Sequence, residues 1–224
     1  MQPERFAEDG FLVVHGLLDP AVCAMVLGQI RPHGDSLAGS RALLAEPWCA
    51  ALSQTVRAQL TLSKLIPANF VSVQCTYFEK STSRNWLVPI HQDLSIPVAH
   101  RVEDSTLSGW SVKEGSLFVQ PPCSVLAELV AVRVHLDPCS ANDGPLRVIP
   151  GSHTFGPTSP ESAVAARRAG TEVACTCEQG AALVMRPLLL HSSSKATGTS
   201  KRRVLHFLFG PPQLPFGLTW QIAV

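Results

Sequence analysis

The chain lacks any run of like charges. Its 224 residues carry 18 basic and 17 acidic side chains, which give a formal net charge of +1 at pH 7. Nucleic acids and anionic membrane surfaces are bound through basic patches, so the sequence predicts neither partner. Low-complexity segments and internal repeats are also missing, while 46% of the residues are hydrophobic and only 16% are charged. That composition is typical of one compact domain with a large core.

Long hydrophobic runs are missing as well. The longest, AALVMRPLLL at 181–190, is interrupted by Arg186 and Pro187 and is too short to cross a bilayer. The first residues, MQPERFAEDG, include acids where a secretion signal needs a basic start and an apolar stretch. We therefore expect a cytoplasmic protein that acts away from membranes.

Paired cysteine motifs are scarce. The chain has seven cysteines, an odd number at scattered positions. Cys175 and Cys177 form a CxC sequence, and no second pair completes a zinc site. The simplest interpretation is that all seven are buried free thiols in a reducing compartment.

Two helices are predicted in the first third of the chain. Asp19 and Pro20 suit an N-cap followed by the first helical position, which indicates a helix over 21–30. A second helix is predicted over 47–60. The segment 31–47 is rich in Gly, Ser and Pro and is predicted to form a loop with a short helix.

From about residue 70 the character of the chain changes. Short segments rich in Val, Leu and Phe are separated by Gly, Pro, Asn and Ser. Such segments predict an antiparallel sandwich or barrel. Because helices come first and strands follow, the fold class is α+β. We expect a single domain over 1–224, with a helical part at about 1–69 and a strand-rich core at about 70–212.

The segment NWLVPIHQDLSIPV, at 85–98, places two metal-binding side chains two residues apart. In an extended chain His91 and Asp93 point to the same side and Gln92 points away. One nitrogen and one oxygen donor form part of a site for a divalent metal, and iron(II) oxygenases use two histidines with one carboxylate. The alternative is that the two side chains only hydrogen-bond each other near a strand end.

A second histidine must come from elsewhere among the eight in the chain. His191 ends an apolar run, and a polar turn and a further strand follow it. Arg202 lies eleven positions after His191 (202 − 191). If these two strands pair across the turn, the arginine faces the same cavity and can bind the far end of a small dicarboxylate in a bidentate manner. Arg203 then faces the opposite side.

Four segments carry a family resemblance. In chain order they are DGFLVVHGLLD, NWLVPIHQDLSIPV, VRVHLDPCSANDGPLRVIPGSH and LLLHSSSKATGTSKRRVLHF. Together they cover most of the sequence, which resembles the phytanoyl-CoA dioxygenase-like group of iron(II)- and 2-oxoglutarate-dependent oxygenases. The resemblance implies a double-stranded β-helix, a cupin-like jelly roll, with the N-terminal helices packed on its outside.

The resemblance also implies a set of site residues and two cofactors. His91, Asp93 and His191 are the implied catalytic iron(II) ligands. Arg202 is implied to hold the far carboxylate of 2-oxoglutarate, and Ser193 matches a position that often adds a hydroxyl group there. Arg133, on a later strand, is expected to contact either the cosubstrate or a buried carboxylate, and both readings stay open.

The remaining candidates are more weakly indicated. Trp86 can line the pocket or belong to the core, and Gln74 and Tyr77 are weighed as residues that reach the site. His153 is interpreted as a structural residue of a loop. Gly144 and Gly151 are expected to permit positive φ in the turns around that loop.

The implied reaction hydroxylates an unactivated C–H bond of a small-molecule substrate. It consumes dioxygen and 2-oxoglutarate and releases succinate and carbon dioxide, and desaturation or epoxidation are also compatible with it. Asp93 disfavours the related halogenases, which have a small residue there. One alternative is a cupin-type metalloprotein that works without 2-oxoglutarate, against which Arg202 counts. Another is a catalytically silent binding module, against which the complete ligand set counts.

Four basic residues near the HxD segment bear on the substrate. A substrate that carries a carboxylate or coenzyme A would favour a basic pocket rim. The candidates for that rim are Lys80, Arg84, Arg101 and Lys113. Ordinary solvated charges explain them equally well.

Overall fold

The computed structural model describes residues 2–30 and 40–224. Its helices are α1 (Gln2–Asp9), α2 (Pro20–Gln29), α3 (Pro47–Leu62), α4 (Cys123–Glu128) and α5 (Pro160–Ala169). The strands are β1 (Phe11–Val14), β2 (Val71–Lys80), β3 (Val88–His91), β4 (Ile96–Val98), β5 (Ser108–Lys113), β6 (Ser116–Gln120), β7 (Val130–His135), β8 (Leu146–Val148), β9 (Val173–Cys175), β10 (Ala182–Met185), β11 (His191–Ser193) and β12 (Arg202–Gly210).

The strands form three antiparallel sheets. The major sheet has the order β1-β10-β7-β12-β2, the minor sheet has the order β3-β11-β8-β9, and a third sheet has the order β4-β6-β5. One hydrophobic cluster joins the inner face of the major sheet to the other two sheets, and it includes Leu208, Val148 and Val119. The predicted α+β class with an antiparallel core is confirmed.

The N-terminal helices cover the outer face of the major sheet. A second hydrophobic cluster contains Val26 of α2 and Val56 of α3, together with Phe207 of β12 and Val132 of β7. In β12 the residues alternate, so that Phe207 and its odd-numbered neighbours face the helices while the even-numbered residues face inward. The helical layer therefore fixes which side of β12 is available to a cavity.

The predicted helices are found close to their expected bounds. Helix α2 begins at Pro20, with Asp19 at the N-cap but without a side-chain capping hydrogen bond. The loop and short helix expected over 31–47 are only partly observed: a 3-10 helix spans Leu43–Ala45, and 31–39 lie outside the described residues.

One expectation about the strands is wrong. The strands that carry His191 and Arg202 were expected to pair across the turn between them. Instead β11 pairs with β3 and β8, whereas β12 pairs with β2 and β7. The polar segment 194–201 carries the chain from one sheet to the other, and the side-chain amide of Asn85 holds its middle by donating to the carbonyl of Ala196 (2.7 Å) and accepting from its N–H (2.8 Å). His191 and Arg202 still line one cavity, because the minor and major sheets face each other.

Two further properties concern membranes and thiols. In the described part of the chain, no helix combines the length and apolar character needed to cross a bilayer. All seven cysteines are free, and six of them are buried.

Candidate metal centre

Two strands of the minor sheet bring three metal-binding side chains together. His91 ends β3 and His191 begins β11, and the two residues are direct partners across the antiparallel pair. Asp93 follows β3, where its backbone N–H donates to the carbonyl of Pro187 (2.9 Å). One donor atom from each of the three lies within 4.8 Å of the other two. The sequence-predicted set is therefore one cluster in space.

Gln92 fixes the loop between the two neighbouring donors. Its side-chain amide donates to the carbonyls of Leu188 (2.7 Å) and Gly156 (2.9 Å), and its oxygen accepts from the N–H of Thr158 (2.9 Å). These bonds anchor the residue that points away from the donors. The backbone between His91 and Asp93 is thereby held by the loop before α5 and by the segment before β11.

The histidine tautomers suit a metal. The Nδ1 atom of His91 lies 2.8 Å from the carbonyl oxygen of Pro89, and that of His191 lies 2.8 Å from the carbonyl oxygen of Leu189. A carbonyl oxygen only accepts, so each Nδ1 carries the proton and each Nε2 presents a lone pair. The two Nε2 atoms lie 3.7 Å from different oxygens of Asp93. Such an outer hydrogen bond to Nδ1 is the usual support of a metal-binding histidine.

A third histidine, which the sequence did not indicate, has the opposite tautomer. The Nε2 atom of His206 lies 3.9 Å from Asp93, and its Nδ1 lies 3.0 Å from a guanidinium nitrogen of Arg133. Arginine only donates, so Nδ1 of His206 accepts and Nε2 carries the proton. His206 can thus donate toward the carboxylate, and it has no free lone pair for a metal. Its place four residues after Arg202, on the same strand face, is the signal that could have found it.

Opposing charges set the protonation states in the cluster. Burial alone would raise the pKa of the Asp93 carboxyl, but His191, His91 and His206 outweigh it and hold that pKa well below its usual range. Burial lowers the pKa of His191 to about 4. Burial, assisted by Arg133, lowers the pKa of His206 to about 3. At His91 burial is outweighed by the effect of Asp93, which raises the pKa. A carboxylate and neutral imidazoles are the forms that bind a divalent metal, so metal binding competes with protonation of His91.

Arg202 and Arg203 face opposite sides of β12, as alternation predicts. Arg202 is buried and lines the cavity, and it donates to the carbonyl of Gly144. Among residues 2–30 and 40–224, its buried Nε has no hydrogen-bond partner. Arg203 points outward and forms an ion pair with Asp137 at 2.7 Å. Arg202 therefore brings a buried guanidinium group to the cavity wall, where an anionic ligand can compensate its charge.

Lys80 lies beside Arg202, and the sequence indicated it as a candidate for the substrate rim rather than for the cosubstrate end. The two residues are partners across β2 and β12, and Lys80 is only 1% exposed. Its ammonium group donates to the hydroxyl of Ser193 and to the carbonyl of Ser194, both at 2.6 Å. Burial, followed by the positive charges of Arg202 and Arg133, lowers the pKa of Lys80 to about 7.

A cationic end of the cavity is defined by Lys80, Arg133, Arg202 and Ser193: Arg133, Arg202 and Ser193 line the wall, and Lys80 lies behind Ser193. In the ranges that the structure describes, none of the three cations forms an ion pair. Buried cations without carboxylate partners are costly, which makes the cationic end a site for an anion. Arg133 contacts His206 and stacks over the ring of Phe78, 5.2 Å from its centroid.

The cavity has a volume of about 430 Å³, and its two ends differ in polarity. The metal cluster lies between the cationic end and an opposite wall that is mainly apolar. That apolar wall consists of Ile96, Phe118, Leu126, Leu129 and Leu208. Gln74 and Gln120 add neutral polar groups beside it.

The weaker sequence candidates divide between the cavity and other places. Gln74 and Trp86 line the cavity. Tyr77 faces the helical layer, and its hydroxyl donates to Glu79 (3.0 Å). His153 lies against the carbonyl of Ala7 (3.2 Å), away from the cavity. Gly144 has a φ of 62°, as expected for its turn.

Comparisons with solved structures find the same fold in other proteins. A similar solved structure is the epimerase SnoN in complex with Fe3+, alpha ketoglutarate and nogalamycin RO. It is 16% identical with a TM-score of 0.72, and the match covers 96% of this chain and 85% of that chain. EctD from S. alaskensis, in its apoform, is 18% identical with a TM-score of 0.70, over 99% of this chain and 82% of that chain.

A third similar structure is HygX from Streptomyces hygroscopicus with nickel and 2-oxoglutarate bound. It is 17% identical with a TM-score of 0.63, over 94% of this chain and 87% of that chain. At these identities the likeness concerns the fold, and it confirms the predicted double-stranded β-helix. A comparison with curated proteins gives no match.

A family profile extends over both ligand-bearing segments and Arg202. The profile is described as Phytanoyl-CoA dioxygenase (PhyH), and it matches residues 6–204. That range covers most of the 224 residues. The chain belongs to the phytanoyl-CoA dioxygenase family.

Proposed function

We propose that the protein is an iron(II)- and 2-oxoglutarate-dependent dioxygenase that hydroxylates a C–H bond of a small molecule. One observation carries this proposal: a cluster of two Nε2 lone pairs and one carboxylate shares a cavity with buried cations that no carboxylate of the described residues pairs with. The donor cluster suits a divalent metal, and the buried cations suit a dianionic cosubstrate.

The donor set supports iron at His91, Asp93 and His191. Two imidazoles and one carboxylate on one side of a metal leave other positions open, as in non-haem iron(II) oxygenases. His206 points its Nε2 proton toward the Asp93 carboxylate and is not a fourth ligand. The alternative of a silent binding module would not require this matched set of tautomers.

The cationic end supports 2-oxoglutarate as the cosubstrate. Arg202 and Ser193 line this end of the cavity, and the ammonium group of Lys80 lies directly behind Ser193, to which it donates. A carboxylate received there is bound by charge-assisted hydrogen bonds in a desolvated place. A cupin-type metalloprotein without 2-oxoglutarate would have no use for these cations, so this alternative is disfavoured.

When bound, the iron couples the oxidative decarboxylation of 2-oxoglutarate by dioxygen, which gives succinate and carbon dioxide, to the insertion of one oxygen atom into a C–H bond. The protein orients both reactants and keeps water away. Asp93 occupies the position where halogenases have a small residue, which favours hydroxylation. The apolar wall next to the metal cluster is suited to hold an unactivated carbon.

The cosubstrate assignment is tested with the adjacent pair of arginines. Affinity for 2-oxoglutarate is measured by calorimetry on protein loaded with Ni(II), which does not turn over. A hydrogen bond to a charged group contributes roughly 1.5–3 kcal/mol, and about 1.4 kcal/mol changes affinity tenfold. Arg202→Ala should therefore weaken 2-oxoglutarate binding roughly ten- to a few-hundred-fold, and Arg202→Lys should recover only part of it. Arg203→Ala should stay within a few-fold of the parent, and the reverse result would move the assignment to Arg203.

The metal assignment and the activity are tested separately. Parent protein should bind one Fe(II) per chain, and the Asp93→Ala, His191→Ala double variant should bind none with measurable affinity. Stoichiometric binding by that variant would rule out the assigned ligands. With iron present, succinate should form in proportion to the 2-oxoglutarate consumed, and its absence would favour the cupin-type alternative.

A further inference from the structure

The charges on the cavity wall are unbalanced. In the described ranges Asp93 is the one carboxylate that lines it, whereas four cations do so: Arg41, Lys113, Arg133 and Arg202. The proposed function, on which this inference rests, uses Asp93 for the metal and the cationic end for the cosubstrate. Arg41 and Lys113 have no role in it.

Arg41 is neutralised by a neighbour outside the metal centre. Its guanidinium group forms an ion pair with Glu114 at 2.7 Å, and its backbone N–H donates to the other oxygen of the same carboxylate, also at 2.7 Å. Each side chain is about one-third exposed, with 33% of its surface accessible. The pair joins the start of the segment before α3 to the tip of the β5–β6 hairpin, and it contributes no net charge to the cavity.

Lys113 is different because no carboxylate pairs with it in the described residues. It ends β5, is half-buried, and holds its ammonium group 4.9 Å from the ring centroid of Phe118. Both side chains line the cavity. Burial and the charge of Arg41 lower the pKa of Lys113, and the charge of Asp93 opposes them, so the ammonium group lies within the electrostatic reach of the metal centre.

The other three basic residues near the HxD segment are engaged elsewhere. Lys80 belongs to the cationic end. Arg84 lies 3.8 Å from Glu79, and the guanidinium group of Arg101 stacks 5.2 Å from the ring centroid of Trp110. Of the four rim candidates, Lys113 is the one that lines the cavity beside the apolar wall.

We propose that the substrate is a small molecule with an apolar body and an acidic group, and that Lys113 binds the acidic group. The apolar body then lies along Phe118 toward the metal, against the apolar wall. A charge-assisted hydrogen bond at a partly desolvated place discriminates strongly between an acid and its neutral analogue. A cationic substrate is disfavoured, because Asp93 is committed to the metal and no other described carboxylate faces the cavity.

Three matched probes test this subsite: 4-phenylbutyrate, 4-phenylbutanol and 4-phenylbutylamine share an apolar body and differ in the charge of one group. Their affinities are measured by calorimetry on protein saturated with Ni(II) and 2-oxoglutarate, so that the cationic end is already filled. The acid should bind at least tenfold more tightly than the amine, with the alcohol between them. Lys113→Met should weaken binding of the acid roughly ten- to a hundred-fold and leave the alcohol within about twofold. Lys113→Glu should reverse the order of acid and amine.

Lys64→Met, at an exposed lysine at the end of α3, is the matched control and should leave all three affinities unchanged. Equal binding of the three probes by the parent protein would overturn the proposal. So would an equal loss for acid and alcohol in Lys113→Met, which would indicate lost packing rather than lost charge. The binding of 2-oxoglutarate to the nickel protein is measured first: its failure would contradict the proposed function, whereas normal binding without preference for the acid would contradict the subsite alone.

Discussion

At the residue scale, the side chains around the metal cluster differ in which ring nitrogen carries the proton. His91 and His191 donate from Nδ1 to backbone carbonyls, whereas His206 accepts at Nδ1 from Arg133. The partner at Nδ1 therefore decides whether the Nε2 atom of a ring presents a lone pair or a proton to the cluster. Residue type alone does not distinguish the two roles.

We predict that His206 supports the metal through its Nε2 proton. His206→Leu removes the donor toward Asp93 and should weaken Ni(II) affinity about tenfold or more, which is the usual effect of losing an outer partner of a metal ligand. His206→Gln places an amide N–H near the same position and should recover most of the affinity. Equal losses in both variants would mean that the ring contributes packing only. Metal titration with a competing chelator measures the effect.

Lys80 gives a prediction about pH. Its pKa falls from 10.5 to about 7 in the folded protein, so between these values the unfolded chain binds a proton that the folded protein has released. Stability therefore rises with pH in this window, by about 2 kcal/mol between pH 7 and 9. Denaturant unfolding should show this rise in the parent and in Lys64→Met, and Lys80→Met should lack it.

Binding should change with pH in the opposite direction. A carboxylate at the cationic end favours the charged form of Lys80, so the affinity for 2-oxoglutarate should fall as the pH rises through about 7. In Lys80→Met the affinity should be weaker and nearly constant over this range. A parent affinity that is independent of pH would remove Lys80 from the cosubstrate site.

At the element scale, the turn before β8 supports the cationic end. The carbonyl of Gly144 accepts from both Arg202 and Ser193. Gly144 has a φ of 62°, and a Cβ atom there would lie 2.6 Å from the backbone carbonyl oxygen of Ser194. This position therefore needs glycine for its conformation and also for the close approach of another backbone.

We predict that Gly144→Ala destabilises the protein much more than a matched glycine change. Gly16 has nearly the same φ, 63°, but a Cβ atom there would meet nothing within 4 Å. Gly16→Ala should cost roughly 1–2 kcal/mol for the left-handed conformation alone. Gly144→Ala should cost at least twice as much and should also weaken 2-oxoglutarate binding. Similar losses of unfolding free energy in the two variants would show that the backbone near Ser194 can shift to accommodate the added methyl group.

The sequence predicted the elements whose residues carry a strong local pattern. Strand alternation, which needs no knowledge of the partner strands, predicts that His91 and Asp93 share one side and that Arg202 and Arg203 face opposite sides. The choice of Arg202 as the inward residue rests on its spacing from His191 and on the family resemblance. The burial of Lys80 depends on the register of β2 with β12, which no local pattern contains. Strand β5 was missed because it is largely exposed and its pairing with β6 is irregular between Ser108 and Ser111.

Helix α5 was also missed, although its start has the expected signals. The Ser159 side chain accepts from the N–H of Ser162, and Pro160 follows at the first helical position. Ala163 is its buried residue, so the helix has little apolar periodicity to reveal it. The strands of His191 and Arg202 do not pair, because the polar segment between them crosses from the minor sheet to the major sheet. A polar segment between two strands does not reveal whether they belong to one sheet.

At the scale of the whole molecule, the folded chain holds three buried cations that no carboxylate pairs with in the described part. Such charges reduce stability until an anion compensates them. We predict that Ni(II) and 2-oxoglutarate together raise the melting temperature more than the sum of their separate effects. A ligand at a hundred times its dissociation constant adds about 2.7 kcal/mol. The Arg202→Ala variant should lose the effect of 2-oxoglutarate but keep that of nickel, and equal shifts in both proteins would argue against the cationic end as the binding place.

The pairing of His91 with His191 also bears on how the protein is made. The two ligands are 100 positions apart in the chain (191 − 91), so at about 5–20 residues per second the ribosome needs roughly 5–20 seconds to add the second after the first. During that interval two of the three proposed ligands, His91 and Asp93, exist without the third. Iron capture must then follow the completion of the minor sheet, and a cell short of iron would accumulate folded protein that is ready to be loaded.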